Sequence, residues 1–100
     1  MHLIVFTSPR EGMDAEYNTW YEEVHIPDML AIPGVESCNR LRAEPFGGQA
    51  PEFAYLADYV IDGDIGAVMK EIKARSADGR MRLSPAIDPA AMKMTVWQSN

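Results

Sequence analysis

The sequence predicts an α+β sandwich of the ferredoxin-like βαββαβ type: a four-stranded antiparallel sheet with two helices on one face. Three observations carry this. Apolar periodicity changes along the chain in the order strand, helix, strand, strand, helix, strand. Both helical stretches have a single apolar face, so each needs a sheet to cover. The 100 residues, with no internal linker or repeat, suffice for one domain and one core.

Residues 2–8 form a β-branched and apolar run that ends at Ser8-Pro9-Arg10-Glu11-Gly12, a strand followed by a turn. Leu3, Val5 and Thr7 point one way, Ile4 and Phe6 the other, so both faces of this strand call for cover. Residues 13–24 have helical spacing, with Met13, Tyr17, Trp20, Tyr21 and Val24 on one arc. Asp14 caps this helix or sits in its first turn. Pro27 removes a backbone donor and disfavours helical geometry at Ile26. The helix is therefore expected to end near His25, and a new turn to open at Pro27 and close at Pro33-Gly34.

Residues 35–44 alternate as a strand, with Cys38, Arg40 and Arg42 on one face. The stretch Pro45-Phe46-Gly47-Gly48-Gln49-Ala50-Pro51 is a loop. Residues 53–61 alternate an aromatic-rich face of Phe53, Tyr55, Tyr59 and Ile61 with Ala54, Leu56, Asp58 and Val60. After the turn Asp62-Gly63-Asp64, the residues Ile65, Val68, Met69 and Ile72 mark a second amphipathic helix to about Ala77, broken at Asp78-Gly79. Residues 80–90, with Pro85 and Pro89, read as a loop, and residues 92–98 as the last strand. With both helices on one sheet face, the other face keeps apolar and aromatic side chains, and a second copy of the sheet is the economical cover.

Composition narrows the partners. The net charge is −6, and the 9 lysines and arginines are scattered, which argues against nucleic acid. Apolar stretches such as 3–6 fall far short of the roughly 20 residues of a membrane span. The opening Met1-His2-Leu3-Ile4 has none of the layout of a signal peptide, so no membrane attachment and a cytoplasmic location are expected. Cys38, the single cysteine, excludes an intrachain disulfide and a cysteine-based zinc site, and as a thiol it reads as a small buried hydrophobe. There is no phosphate loop, no His-Glu-x-x-His and no nucleophile elbow. With two histidines in all, no metal and no cofactor are expected.

Chemistry concentrates in Trp20-Tyr21-Glu22-Glu23-Val24-His25-Ile26-Pro27-Asp28. On a helix, Tyr17, Tyr21 and His25 follow one another at four-residue steps, and Trp20 and Val24 form a parallel row. This makes an apolar wall bordered by phenols and an imidazole, suited to a small cyclic ligand with proton transfer at its rim. For His25, a helix C-terminus and the Asp28 carboxylate favour the charged form while burial opposes it, a balance that can hold the pKa near neutrality. The plainer reading has His25 capping the broken helix. Asp28 either orients His25 or starts the next helical turn; Tyr17, Tyr21 and Trp20 either bind substrate or are core with a polar tip. Asp58, inside an apolar strand, needs a partner, which Arg40 or Arg42 can supply. Arg40 can also hold a substrate carboxylate or enolate, or sit on a solvated face or in a dimer salt bridge.

The pattern Trp20-Tyr21, His25-Ile26-Pro27-Asp28 and Ile32-Pro33-Gly34-Val35 resembles the EthD-like proteins of the dimeric α/β-barrel superfamily. The resemblance is specific over residues 17–42 and extends to the rest of the chain through element order. It implies a homodimer whose sheets pack face to face, a pocket between each sheet and its helices, and a functional role for His25 with Pro27-Asp28 in the matching positions. The expected activity is that of a small cofactor-independent lyase or isomerase acting on an aromatic, polyketide-like or other cyclic intermediate. His25 would move the proton, Tyr21 would hold the oxyanion and Asp28 would orient the imidazole. Tyr17, Trp20, Val24 and Arg40 would contact the substrate. A cofactor-free monooxygenase on a hydroquinone or anthrone and a non-catalytic small-molecule-binding dimer are the alternatives.

Overall fold

A computed structural model describes all 100 residues. Its strands are β1 (His2–Pro9), β2 (Val35–Arg42), β3 (Tyr55–Ile61) and β4 (Ile87–Trp97). They form one sheet in the order β2-β3-β1-β4, antiparallel throughout. After β1, helix α1 (Asp14–Trp20), a π-helical turn (Tyr21–His25) and α2 (Ile26–Leu30) run into one another without interruption. Helix α3 (Ile65–Asp78) joins β3 to β4. This is the expected α+β ferredoxin-like arrangement.

Strand alternation decides which face is buried. Leu3, Val5 and Thr7 of β1 lie opposite Tyr59, Ala57 and Tyr55 of β3 and turn toward the helices. There they join Tyr17, Trp20, Tyr21, Met29, Ile32 and Val68 in one core. Ile4 and Phe6, with Leu56 and Val60, turn to the other face, which no element of this chain covers. The same register places Asn39 opposite Asp58, and Arg40 opposite Ala57. Arg40 and Arg42 therefore lie on the far side of the sheet from Asp58 and do not pair with it. The partner of Asp58 is His2, its Nδ1 2.7 Å from Oδ1.

A new helical turn opens at Pro27 as expected, with the proline in the first turn of α2, but the preceding helix does not end before it. No break occurs: Ile26 keeps helical angles (φ −60°, ψ −48°), and its N–H reaches back five residues to the Tyr21 carbonyl. A proline drives its ring toward the carbonyl four residues before it, here that of Glu23. A preceding turn wound at i→i+5 relieves this clash, so the helix absorbs the proline by widening rather than by ending. Asp14 sits in the first turn, and the N-terminus has no side-chain cap.

Helix α3 has regular ends. Asp64 accepts from the Gly66 N–H at 2.8 Å, and Gly79 follows in the left-handed conformation (φ 84°). Gly34 is needed for two reasons: its φ is +95°, and a Cβ there would lie 2.9 Å from the Asp62 carbonyl oxygen and 3.3 Å from Val68 Cγ2. Strand β4 begins at Ile87, earlier than the sequence suggests, and contains Pro89. A missing N–H is tolerated there because β4 is an edge strand and its pairing with β1 shifts register between Thr7 and Pro9. Residues 80–86 are irregular, yet Met81 and Ala86 are buried, so this segment belongs to the core.

Candidate active site

The π turn sets the geometry of the site. Winding at i→i+5 brings residues five apart into line, and Trp20 stacks on His25 with ring centroids 4.7 Å apart and planes at 24°. On a regular α-helix these two would point in different directions. Tyr21 meets the same imidazole edge-on at 4.9 Å. Tyr17 packs against both Trp20 (6.1 Å) and Tyr21 (5.5 Å). The aromatic border expected from the sequence exists, with Trp20 inside it.

These rings close one side of a cavity of about 60 Å³ between the helix and the sheet. Val5 and Thr7 of β1 and Ile87 and Met92 of β4 form the other side. The cavity is apolar except for three groups. The Tyr17 and Thr7 hydroxyls are hydrogen-bonded to each other. The third is the His25 imidazole, whose Nδ1 is buried and has no hydrogen-bond partner. Two hydroxyls that share one hydrogen bond retain a second proton, free to be donated.

His25 is not at a helix end, and its charge balance does not rest near neutrality. Burial lowers its pKa to about 4, against the pull of Asp28 and with a smaller push from Arg40. The imidazole is neutral at pH 7. Asp28 lies close enough to be felt, but no hydrogen bond joins it to His25. Its carboxylate is held by Arg82, with Oδ1 accepting from Nη2 at 2.7 Å and Oδ2 from Nε at 3.1 Å. Oδ2 also accepts from the Arg82 backbone N–H at 3.1 Å. These bonds hold the Asp28 carboxyl below its ordinary range. Trp20 Nε1 donates to the Arg82 carbonyl at 3.2 Å, so both residues fix the segment that runs beside the cavity.

The remaining candidates divide. The Tyr21 hydroxyl is engaged with that of Tyr59 at 2.9 Å, and burial raises both pKa values. Val24 faces away from the cavity and lines a surface depression with Thr19, Glu23 and Leu83. The Arg40 guanidinium lies 4.3 Å from the Tyr21 ring centroid and binds Glu22 at 3.1 Å and Asn18 at 2.8 Å. It supports the wall from behind and does not line the cavity. Burial pushes the Cys38 thiol up to about 11, which keeps it protonated. Thr7, Val5, Ile87, Met92 and Tyr59 carry no site signal in the sequence. The alternation of β1 and β3 puts three of them on the helix-facing side, but only the β4 register brings in Ile87 and Met92.

No protein-family model and no curated protein sequence matches the chain. Solved structures do. An ethyl tert-butyl ether D (EthD) family protein from Bacillus halodurans C-125 superposes with a TM-score of 0.70 at 17% identity, over 99% of this chain and 97% of that one. HapK from Hahella chejuensis superposes with a TM-score of 0.60 at 16% identity, over 100% of this chain and 95% of that one. At these identities the likeness establishes the fold, and the chain has the EthD-like α+β fold along its whole length.

Proposed function

We propose that this chain is an EthD-like, cofactor-independent lyase or isomerase that moves a proton beside the carbonyl of a cyclic substrate. One observation carries the reading: a neutral imidazole with an unpartnered buried nitrogen lines the same small cavity as a hydroxyl pair that has a proton to donate. His25 takes the proton α to the carbonyl. The electron pair left behind moves onto the carbonyl oxygen, where the Tyr17–Thr7 pair donates to the enolate. In a lyase, the enolate then expels a group from the β carbon and the imidazolium returns its proton to that group. In an isomerase, the proton returns to a different carbon. Tyr21 backs the imidazole and, through Tyr59, keeps the wall dry. Asp28 acts through Arg82 and the segment that Arg82 anchors.

We further propose a homodimer formed through the open sheet face, where Ile4, Phe6, Leu56 and Val60 face outward. Sedimentation should then give twice the chain mass, and the monomer mass would reject the assembly.

The catalytic test is deuterium exchange at the α carbon of cyclic ketones, followed by NMR. Exchange should be lost in His25→Ala while the circular dichroism spectrum is retained; unchanged exchange in that variant would reject the mechanism. Because burial places the His25 pKa at about 4, the acid limb of kcat/KM should fall near that pH and not near 6.5. The aromatic lining also favours a second reading, a cofactor-free monooxygenase on a hydroquinone or anthrone, for which substrate-dependent oxygen consumption is the discriminating measurement.

A further inference from the structure

The His25 cavity, at about 60 Å³ the space of two waters, can take only the reacting edge of a substrate, so the rest of the molecule must lie outside it. Two of its lining residues, Ile87 and Met92, also line a neighbouring groove of about 370 Å³ over Pro89, Pro85 and Leu83. Its size is in the range of small-molecule sites. The walls are apolar and open to solvent, with Leu83 76% and Met92 45% exposed.

The one charged side chain on this groove is Arg10. Its setting differs from that of every other arginine in the chain. Arg40, Arg42, Arg75, Arg80 and Arg82 each hold a carboxylate. Arg10 holds none. Its Nε donates to the Pro85 carbonyl at 3.1 Å and its backbone N–H to the Ala86 carbonyl at 2.9 Å, which fixes the side chain at the groove. The two terminal nitrogens are left without a protein partner. Asp88, the acidic residue on the adjoining part of β4, is turned to the Ala90 N–H at 3.1 Å. A planar guanidinium with two free nitrogens beside an apolar wall matches a carboxylate on an apolar body.

We propose that the substrate is a cyclic or aromatic carboxylic acid: Arg10 takes its carboxylate, the apolar body lies along Leu83 and Met92, and the reacting end enters the His25 cavity. The inference rests on the His25 reading for what happens at the inner end, but the groove can be tested without turnover.

The experiment is calorimetric titration of the full chain at pH 7 with 2-naphthoate and with naphthalene-2-carboxamide, which share a shape and differ in charge. The acid should bind more tightly than the amide. Arg10→Leu should weaken the acid at least about tenfold, or about 1.4 kcal/mol, and leave the amide unchanged. Arg10→Lys should recover part of the loss. Leu83→Ser should weaken both probes alike. Equal affinities of acid and amide, or an Arg10→Leu variant that binds the acid as the parent does, would overturn the proposal. The same titrations in His25→Ala separate the two readings: acid binding that persists there while exchange fails everywhere rejects the chemistry and keeps the groove.

Discussion

The two helical segments occupy equivalent places in the βαββαβ order and are built in opposite ways. Helix α3 has a side-chain N-cap, a left-handed glycine at its end and regular winding, and it fully buries one residue, Val68. The segment over residues 14–30 has no capping side chain and is wound partly as a π turn, yet it buries Tyr17, Trp20, Tyr21 and Met29. One helix is specified locally and does little but cover the sheet. The other is specified by what it packs against, and its irregular turn is where the imidazole, the indole and the phenols meet. In the first segment, stability and chemistry are therefore tied together; in α3 they are separate.

The strongest way to break this contrast is Tyr17→Ala. Tyr17 is 1% exposed and touches Trp20, Tyr21 and Tyr55. Removing a buried aromatic ring costs about 3–5 kcal/mol, and here the Thr7 hydroxyl also loses its partner. Urea unfolding should register that loss, and exchange activity should vanish with it. If stability fell by less than about 1 kcal/mol, the segment would not be held by its packing.

The second effect depends on pH. His25 titrates at about 4 in the folded chain and near 6.5 in an unfolded one. Between these values the unfolded chain binds more protons, so stability rises with pH across that window and is lost as pH falls through it. The full change is about 3 kcal/mol by linkage. His25→Phe should flatten the urea midpoint between pH 4 and 6.5. A profile as steep as that of the parent would assign the slope to other groups. Helix α3 carries no histidine and should contribute nothing to this window.

How far the sequence discloses the molecule follows the same division. Strand alternation and apolar spacing are local, so the element order, the sheet faces and α3 with its Asp64 and Gly79 are legible from residues 2–79. The π turn is not, because a period of 3.6 is what apolar spacing reports and Pro27 reads as a stop. Trp20 and His25, five residues apart, therefore look unrelated until the turn stacks them. Tyr21 beside His25 is legible, since a step of four survives. The Asp28–Arg82 and His2–Asp58 pairs span 54 and 56 residues and no spacing rule reaches them. The pKa of His25 is missed for a similar reason: the competing influences can be named from the sequence, but their sizes are set by how deeply the ring is buried.

Val68→Ala is the corresponding test in α3. Val68 is 1% exposed and its Cγ2 reaches toward Gly34. Its truncation should cost about 2 kcal/mol, from burial lost and a cavity left. Exchange measured below the unfolding transition should be unaffected, since Val68 does not line the His25 cavity. A proportional loss of activity would mean that the two helices are coupled through the sheet.

The smallest effect should come from Asp64→Ala. Its carboxylate accepts the Gly66 N–H and satisfies one of the free donors at the start of α3. Losing a cap costs about 1 kcal/mol. No equivalent substitution exists in the first segment, whose N-terminus begins at Met13 without a side-chain cap. Asp64→Ala should therefore lower the urea midpoint slightly and leave both the pH profile and exchange as in the parent. That combination would place the local signals entirely on the side of folding. If the cap variant instead altered exchange, α3 would have to act on the residues around His25, and the division of labour between the two helices would fail.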